Sequence, residues 1–145
     1  MDIRRITPDF YVSPQISVED MPSIAQAGIK RVICNRPDEE VPPAFQQDAI
    51  EASAREAGLE FVVCPLTHQT MVPVVIDENR AFIDTAPGPA LAYCASGTRS
   101  TIAWAIGMAN DLDHDEIIEA AAQAGYDIRG LKPTLEAVAR NAASG

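Results

Sequence analysis

Four short apolar runs, "FYVSP", "IKRVICN", "LEFVVCPL" and "ALAYC", recur along the chain with helix-length segments between them. That alternation constrains the fold more than any other feature. Short, apolar strands need cover on both faces, and intervening helices provide it when the strands run parallel. The segment 17–27 is predicted helical and stopped by Gly28; Ser17 and Asp20 are alternative caps, and Pro22 favours the later one. Further helices are expected over 44–57, closed by Gly58, and over 75–85. "STIAWAIGMANDL" is apolar around nearly its whole circumference, which predicts a buried helix against the sheet. Asp113 and Glu116 open the next helix like a capping box, Gly125 ends it, and the last begins near Pro133 with Leu131, Leu135 and Val138 facing the core. The expected fold class is α/β: three layers, α/β/α, around a mostly parallel sheet of four to five strands. With 145 residues, 47% of them hydrophobic, a single domain spanning 1–145 can bury a real core.

In an open parallel sheet, ligands bind at the carboxyl ends of the strands. Three loops leave that edge, after Asn35, after Leu66 and after Tyr93. The last reads "YCASGTRS" and joins an apolar strand to the buried helix. Ala95, Ser96, Gly97 and Thr98 are small enough for the backbone to curl with its N–H groups inward, which makes an anion-binding concavity. Arg99 adds a fixed fork of donors. The same donors favour a thiolate at Cys94. Moving a thiol two units below its free value of ~8.5 takes roughly 2.7 kcal/mol. A helix end supplies only about 0.3–1 kcal/mol. Arg99, the loop N–H groups and the Ser100 hydroxyl are expected to supply the rest. A nucleotide P-loop is excluded, because its Lys-Ser/Thr pair is missing.

Taken in order, "VICNRPDEE", "YCASGTRS" and "AAQAGYDIRGLKP" resemble the phosphatase-like domain of beta-lactamase hydrolase-like proteins, across essentially the whole chain. The resemblance implies a tyrosine-phosphatase-like fold, with Cys94 as nucleophile and Arg99 as the anion-binding arginine. Ser100 matches the hydroxyl residue that hydrogen-bonds the thiolate in such proteins. Some members are fused to persulfide dioxygenase-like domains and act in sulfide detoxification, which implies a persulfide-oxidising partner enzyme. This chain departs from the tyrosine-phosphatase pattern in three places. The loop is Cys-x4-Arg, the length used by rhodanese-type sulfurtransferases, where tyrosine phosphatases have Cys-x5-Arg. Tyr93 stands where they usually carry histidine, and Ala95 where relatives often carry a basic residue.

Phosphomonoester hydrolysis needs an acid for the leaving oxygen. The loop where small phosphatases of this fold keep an aspartate reads "CPLTHQTMVP" and has no carboxylate. His68, on that loop, and Asp38, in "NRPDEE", are the candidate acids; Arg36 is a candidate extension of the anion site. A sulfite or thiolate leaving group needs little protonation. The sequence therefore points first to sulfane-sulfur transfer through a Cys94 persulfide. Phosphate-ester hydrolysis through a phosphocysteine is the alternative, and a non-catalytic sulfate- or phosphate-binding sensor the third reading. The expected substrate is a small anion, either a sulfane-sulfur donor or a phosphate ester.

Composition narrows the remaining classes. A formal net charge of −10 disfavours nucleic acid and anionic membranes as partners. No run approaches the ~18 apolar residues of a membrane span, and "MDIRRITPDF" has no apolar signal core, so a cytoplasmic location is expected. Two histidines, His68 and His114, without CxxC spacing predict no metal site, and no cofactor is indicated. Three cysteines do not make a disulfide framework. Cys34 and Cys64 read as core residues, with Cys64 also a candidate resolving thiol for Cys94.

Overall fold

The computed structural model describes residues 2–144. Five strands lie among them: β1 (Arg4–Thr7), β2 (Phe10–Ser13), β3 (Arg31–Cys34), β4 (Glu60–Val63) and β5 (Ala90–Tyr93). They form one sheet in the order β1-β2-β5-β3-β4. β2, β5, β3 and β4 are parallel, and β1 pairs antiparallel with β2 at the edge. The four apolar runs are thus β2 to β5. β1 was not expected: "RRIT" carries two arginines and shows no apolar face, because an edge strand needs only partial cover.

Helices α1 (Met21–Gln26) and α2 (Gln47–Glu56) cover one face of the sheet, while α3 (Pro73–Asp84), α4 (Thr98–Gly107), α5 (His114–Gln123) and α6 (Lys132–Ser144) cover the other. Alternating strand residues feed the two cores. Val32, Cys34, Phe61, Leu91 and Tyr93 pack with Met21, Ile24 and Ile50. Ile33, Cys64, Ala90 and Ala92 pack with Trp104, Ile117 and Leu135. α4 is the buried central helix, with Ala103, Trp104 and Ala105 inside and Trp104 stacked on Phe10 at 6.2 Å between centroids.

Ser17 and Asp20 close a capping box on a 3-10 turn, Val18–Asp20; Asp20 stands at the N-cap position of α1, whose second residue is Pro22, but its side chain makes no cap hydrogen bond to that helix. Asp113 caps α5 by accepting the N–H groups of Asp115 and Glu116. α2 begins three residues later than expected, because Pro43–Phe45 forms a separate 3-10 turn first. No helix among the described residues is long and apolar enough to cross a membrane.

Candidate active site

Cys94 follows β5 directly, and Gly97 caps α4, so four residues turn the chain from strand to helix. Gly97 makes the turn with φ +97°, in the left-handed region that side chains avoid. Its N–H donates to Cys94 Sγ at 3.1 Å, and its carbonyl accepts the Thr101 hydroxyl at 2.8 Å. The Ser96 hydroxyl bonds Thr98 Oγ1 and accepts the Thr98 N–H, which tightens the exposed side of the loop. Ala95, Ser96 and Thr98 are exposed at the rim, whereas Cys94 is fully buried.

Two residues outside the loop hold its backbone. The Tyr126 hydroxyl donates to the Ser96 carbonyl at 3.0 Å, and the Gln15 N–H donates to the Ala95 carbonyl at 3.3 Å. Tyr126 is itself fixed by Arg4 of β1, whose guanidinium lies 5.4 Å from the ring centroid. A Cβ on Gly97 would overlap the Tyr126 hydroxyl. Gly97→Ala therefore combines a left-handed alanine, costing about 1–2 kcal/mol, with displacement of Tyr126. The expected result is a lower midpoint in urea denaturation together with slowed Cys94 chemistry. Unchanged values for both would mean that the loop does not need this geometry.

Arg99 leaves the first turn of α4 and is anchored by three hydrogen bonds to two partners. Its guanidinium donates to both Glu40 oxygens, at 2.8 and 2.7 Å, and to the Leu66 carbonyl at 2.8 Å. Arg36 joins the same carboxylate from the other side through Nε at 3.2 Å and reaches Gln15 Oε1 at 3.2 Å. Arg99, then Arg36, hold the Glu40 carboxyl below its ordinary value. The clamp is therefore complete above the usual carboxyl range and is released as pH falls through that lowered value.

A pocket of about 580 Å³ opens beside Arg99, lined also by Glu40, Thr67, His68, Gln69, Met71 and Ile102. His68 is exposed on this wall, in the same pocket as Arg99. Asp38 Oδ1 accepts the Gln47 N–H at 2.8 Å and anchors the start of α2, and Asp38 does not line this pocket. Ser100 is fully buried, and its hydroxyl donates to Asn35 Oδ1 at 2.8 Å, where the resemblance had implied a bond to the thiolate. Among the described residues no group of three or more His, Cys, Asp or Glu is placed to hold a metal ion.

The sheet order decides the role of the other thiols. Cys34 lies opposite both Tyr93 and Val63, so Asn35 sits between Cys94 and Cys64 one position further on. Two strand spacings of ~4.8 Å separate the latter two backbones, beyond the ~7 Å that a disulfide spans. Cys64 therefore does not resolve Cys94. Cys34 faces the opposite core, against Tyr93. Burial raises its titration, and burial with the charge of Glu78 pushes Cys64 up to about 11. Both are packing residues.

Glu40, Tyr126, Gln15 and Asn35 were not singled out from the sequence. Glu40 stands two residues beyond Asp38 in the same quoted loop, and Tyr126 directly follows the glycine that closes α5. Their contacts are long-range, and only strand order reveals them.

A family model described as "Beta-lactamase hydrolase-like protein, phosphatase-like domain" matches residues 2–111. A beta-lactamase hydrolase-like protein of Xylella fastidiosa is 29% identical over 130 residues, covering 88% of this chain and 30% of that protein. The chain thus spans about a third of the length of the relatives it matches. The crystal structure of a putative phosphatase from Neisseria meningitidis superposes with a TM-score of 0.84 at 34% identity, covering 95% of this chain and 99% of that one. A putative phosphatase from Shewanella putrefaciens shares the fold at 15% identity, with a TM-score of 0.69 over 99% of this chain and 89% of that one.

Proposed function

The chain belongs to the phosphatase-like domain family of beta-lactamase hydrolase-like proteins, and from that premise we propose that it hydrolyses phosphate monoesters through a phosphocysteine at Cys94. The observation that carries this reading is the Gly97 N–H directed onto Cys94 Sγ at the head of a buried helix, with Arg99 clamped alongside. A thiolate there attacks phosphorus, the ester P–O bond breaks, and the leaving oxygen takes a proton. Water then attacks the phosphocysteine and gives a proton to His68, the P–S bond breaks, Cys94 returns to the thiolate, and inorganic phosphate leaves. Arg99 and the loop N–H groups hold the phosphoryl oxygens in both steps. His68, on the pocket wall, is the acid for the leaving oxygen. Arg36 supports the site through Glu40. The substrate class is a small phosphate ester.

Sulfane-sulfur transfer, the first expectation from the sequence, retains two observations in its favour. The Cys-x4-Arg loop is short, and "THQTMVP" offers no carboxylate. The family description and the Neisseria relative nevertheless favour phosphatase-like chemistry over it. A persulfide-oxidising partner belongs to the sulfur reading and goes with it.

The two chemistries leave different groups on the same atom. Acid quenching during aryl phosphate turnover should trap one phosphoryl group on Cys94, read by peptide mass. Exposure to thiosulfate should leave the reduced mass unchanged. A gain of one sulfur, with no phosphoryl trapped and no turnover, would reverse the assignment; no covalent gain and no turnover would leave the anion-sensor reading.

A further inference from the structure

The Ser96 carbonyl and the Gly97 N–H are the two ends of one planar peptide. The N–H donates to Cys94 Sγ at 3.1 Å, and the carbonyl accepts the Tyr126 hydroxyl at 3.0 Å. Whatever fixes the carbonyl therefore aims the N–H at the sulfur.

Gly97 cannot fix that plane by itself. Its φ of +97° suits the turn, but glycine populates positive and negative φ about equally, so rotation of the peptide remains open to it. Rotated by half a turn, the peptide would point its carbonyl oxygen at Cys94 in place of the N–H. On the far side of Gly97 the chain is already tied into α4: the Gly97 carbonyl accepts the Thr101 N–H at 3.0 Å and the Thr101 hydroxyl at 2.8 Å. The peptide between Ser96 and Gly97 lies outside that ladder, and its brace comes from 30 residues away.

Tyr126 is held in place by its own contacts. Its N–H donates to the Ala121 carbonyl at 2.9 Å, and its ring lies 5.4 Å from the Arg4 guanidinium, which in turn donates to the Ala124 carbonyl at 3.0 Å. Burial raises its titration, so the hydroxyl keeps the proton it donates. The hydroxyl reaches the loop only because residue 97 has no Cβ, which would overlap it.

We propose that Tyr126 is a positioning residue: its hydroxyl locks the peptide between Ser96 and Gly97 with the N–H on Cys94 Sγ, and so sets how much thiolate the resting protein carries. Its part in catalysis rests on the reading of Cys94 as the nucleophile. An N–H donated to sulfur favours the thiolate over the thiol, and a carbonyl oxygen turned toward it opposes the charge.

Tyr126→Phe keeps the ring beside Arg4 and removes only the hydroxyl. Two readings test it: the ultraviolet absorbance of the Cys94 thiolate, against Cys94→Ser in the same background, and the amide proton resonance of Gly97 through a pH titration. In the wild type the Gly97 resonance should move as Cys94 ionises. In Tyr126→Phe, at the pH where the wild type is half ionised, the thiolate-to-thiol ratio should fall about three- to tenfold, the worth of one hydrogen bond. The Gly97 movement should shrink with it. A tyrosine that only packs would lower the urea midpoint and leave both readings alone. The proposal fails if the ratio holds or rises, or if it falls while the Gly97 movement stays intact, which would assign the effect to the phenol dipole acting through space. The wild type tests the premise without any variant: a Gly97 resonance that ignores Cys94 ionisation overturns the proposal even if Tyr126→Phe does not fold. Neither reading uses substrate, so a wild type without phosphatase activity overturns the proposed function and leaves this inference to its own result.

Discussion

Cys94→Ser is expected to lower aryl phosphate turnover by at least about 10⁴-fold, the scale seen when a covalent nucleophile is lost. Serine keeps the shape of the side chain and loses its acidity. A thiol ionises within reach of neutrality, and an alcohol does not. An alkoxide would require far more stabilisation than one helix end, one N–H at 3.1 Å and a guanidinium deliver. Burial points the same way: Cys94 is fully buried, and desolvation raises the cost of an alkoxide there further. Binding should survive, since the loop N–H groups and Arg99 remain. The variant should retain affinity for phosphate or an aryl phosphate, measured by calorimetry, while turnover disappears. Substantial residual turnover would move the nucleophile away from Cys94 and leave the site an anion-binding loop.

Much of the scaffold could be read from the chain because its signals are local. β2 to β5 are apolar runs bounded by turn residues, and Asp113 caps α5 through neighbouring N–H groups. The apolar circumference of α4 followed from its position between the sheet and other helices. Cys94, Gly97 and Arg99 were legible for the same reason: strand end, curl and helix start lie within a few residues.

The residues that finish the site were not legible, because distant segments supply them. Glu40 reaches Arg99 only because β3 neighbours β5 at the carboxyl edge. Tyr126 reaches Ser96 from beyond α5, and it is oriented by Arg4 on a strand with no apolar signature. Asp38 illustrates a related problem. A carboxylate in a strand-end loop reads as a candidate acid in sequence, and its bond to the Gln47 N–H, which anchors α2, depends on a segment nine residues away. The Ser100 hydroxyl was expected on the thiolate, and strand register brings Asn35 Oδ1 to it instead.

Arg99→Lys should cost about 10²- to 10³-fold in kcat/KM, comparable to removing a preorganised donor from an oxyanion site. Charge is conserved in this exchange, so any loss measures geometry. Arg99 already spends NH1 on the Leu66 carbonyl and one Glu40 oxygen, and NH2 on the other Glu40 oxygen. Those bonds fix the guanidinium plane, so that its remaining donors can face the anion at Cys94. A lysine ammonium has no plane to fix, and its three donors cannot hold Glu40 in bidentate fashion while also meeting a phosphoryl group. Glu40→Gln should be milder, because an amide retains one acceptor for the fork and loses only the charge. It should also remove the loss of activity at acid pH that follows from protonating Glu40, since glutamine does not titrate. If Arg99→Lys retains full activity while Glu40→Gln is impaired, the carboxylate rather than the fork serves the substrate, and Arg99 becomes its anchor. If both are impaired in the predicted order, the clamp orients a donor pair that the anion uses directly.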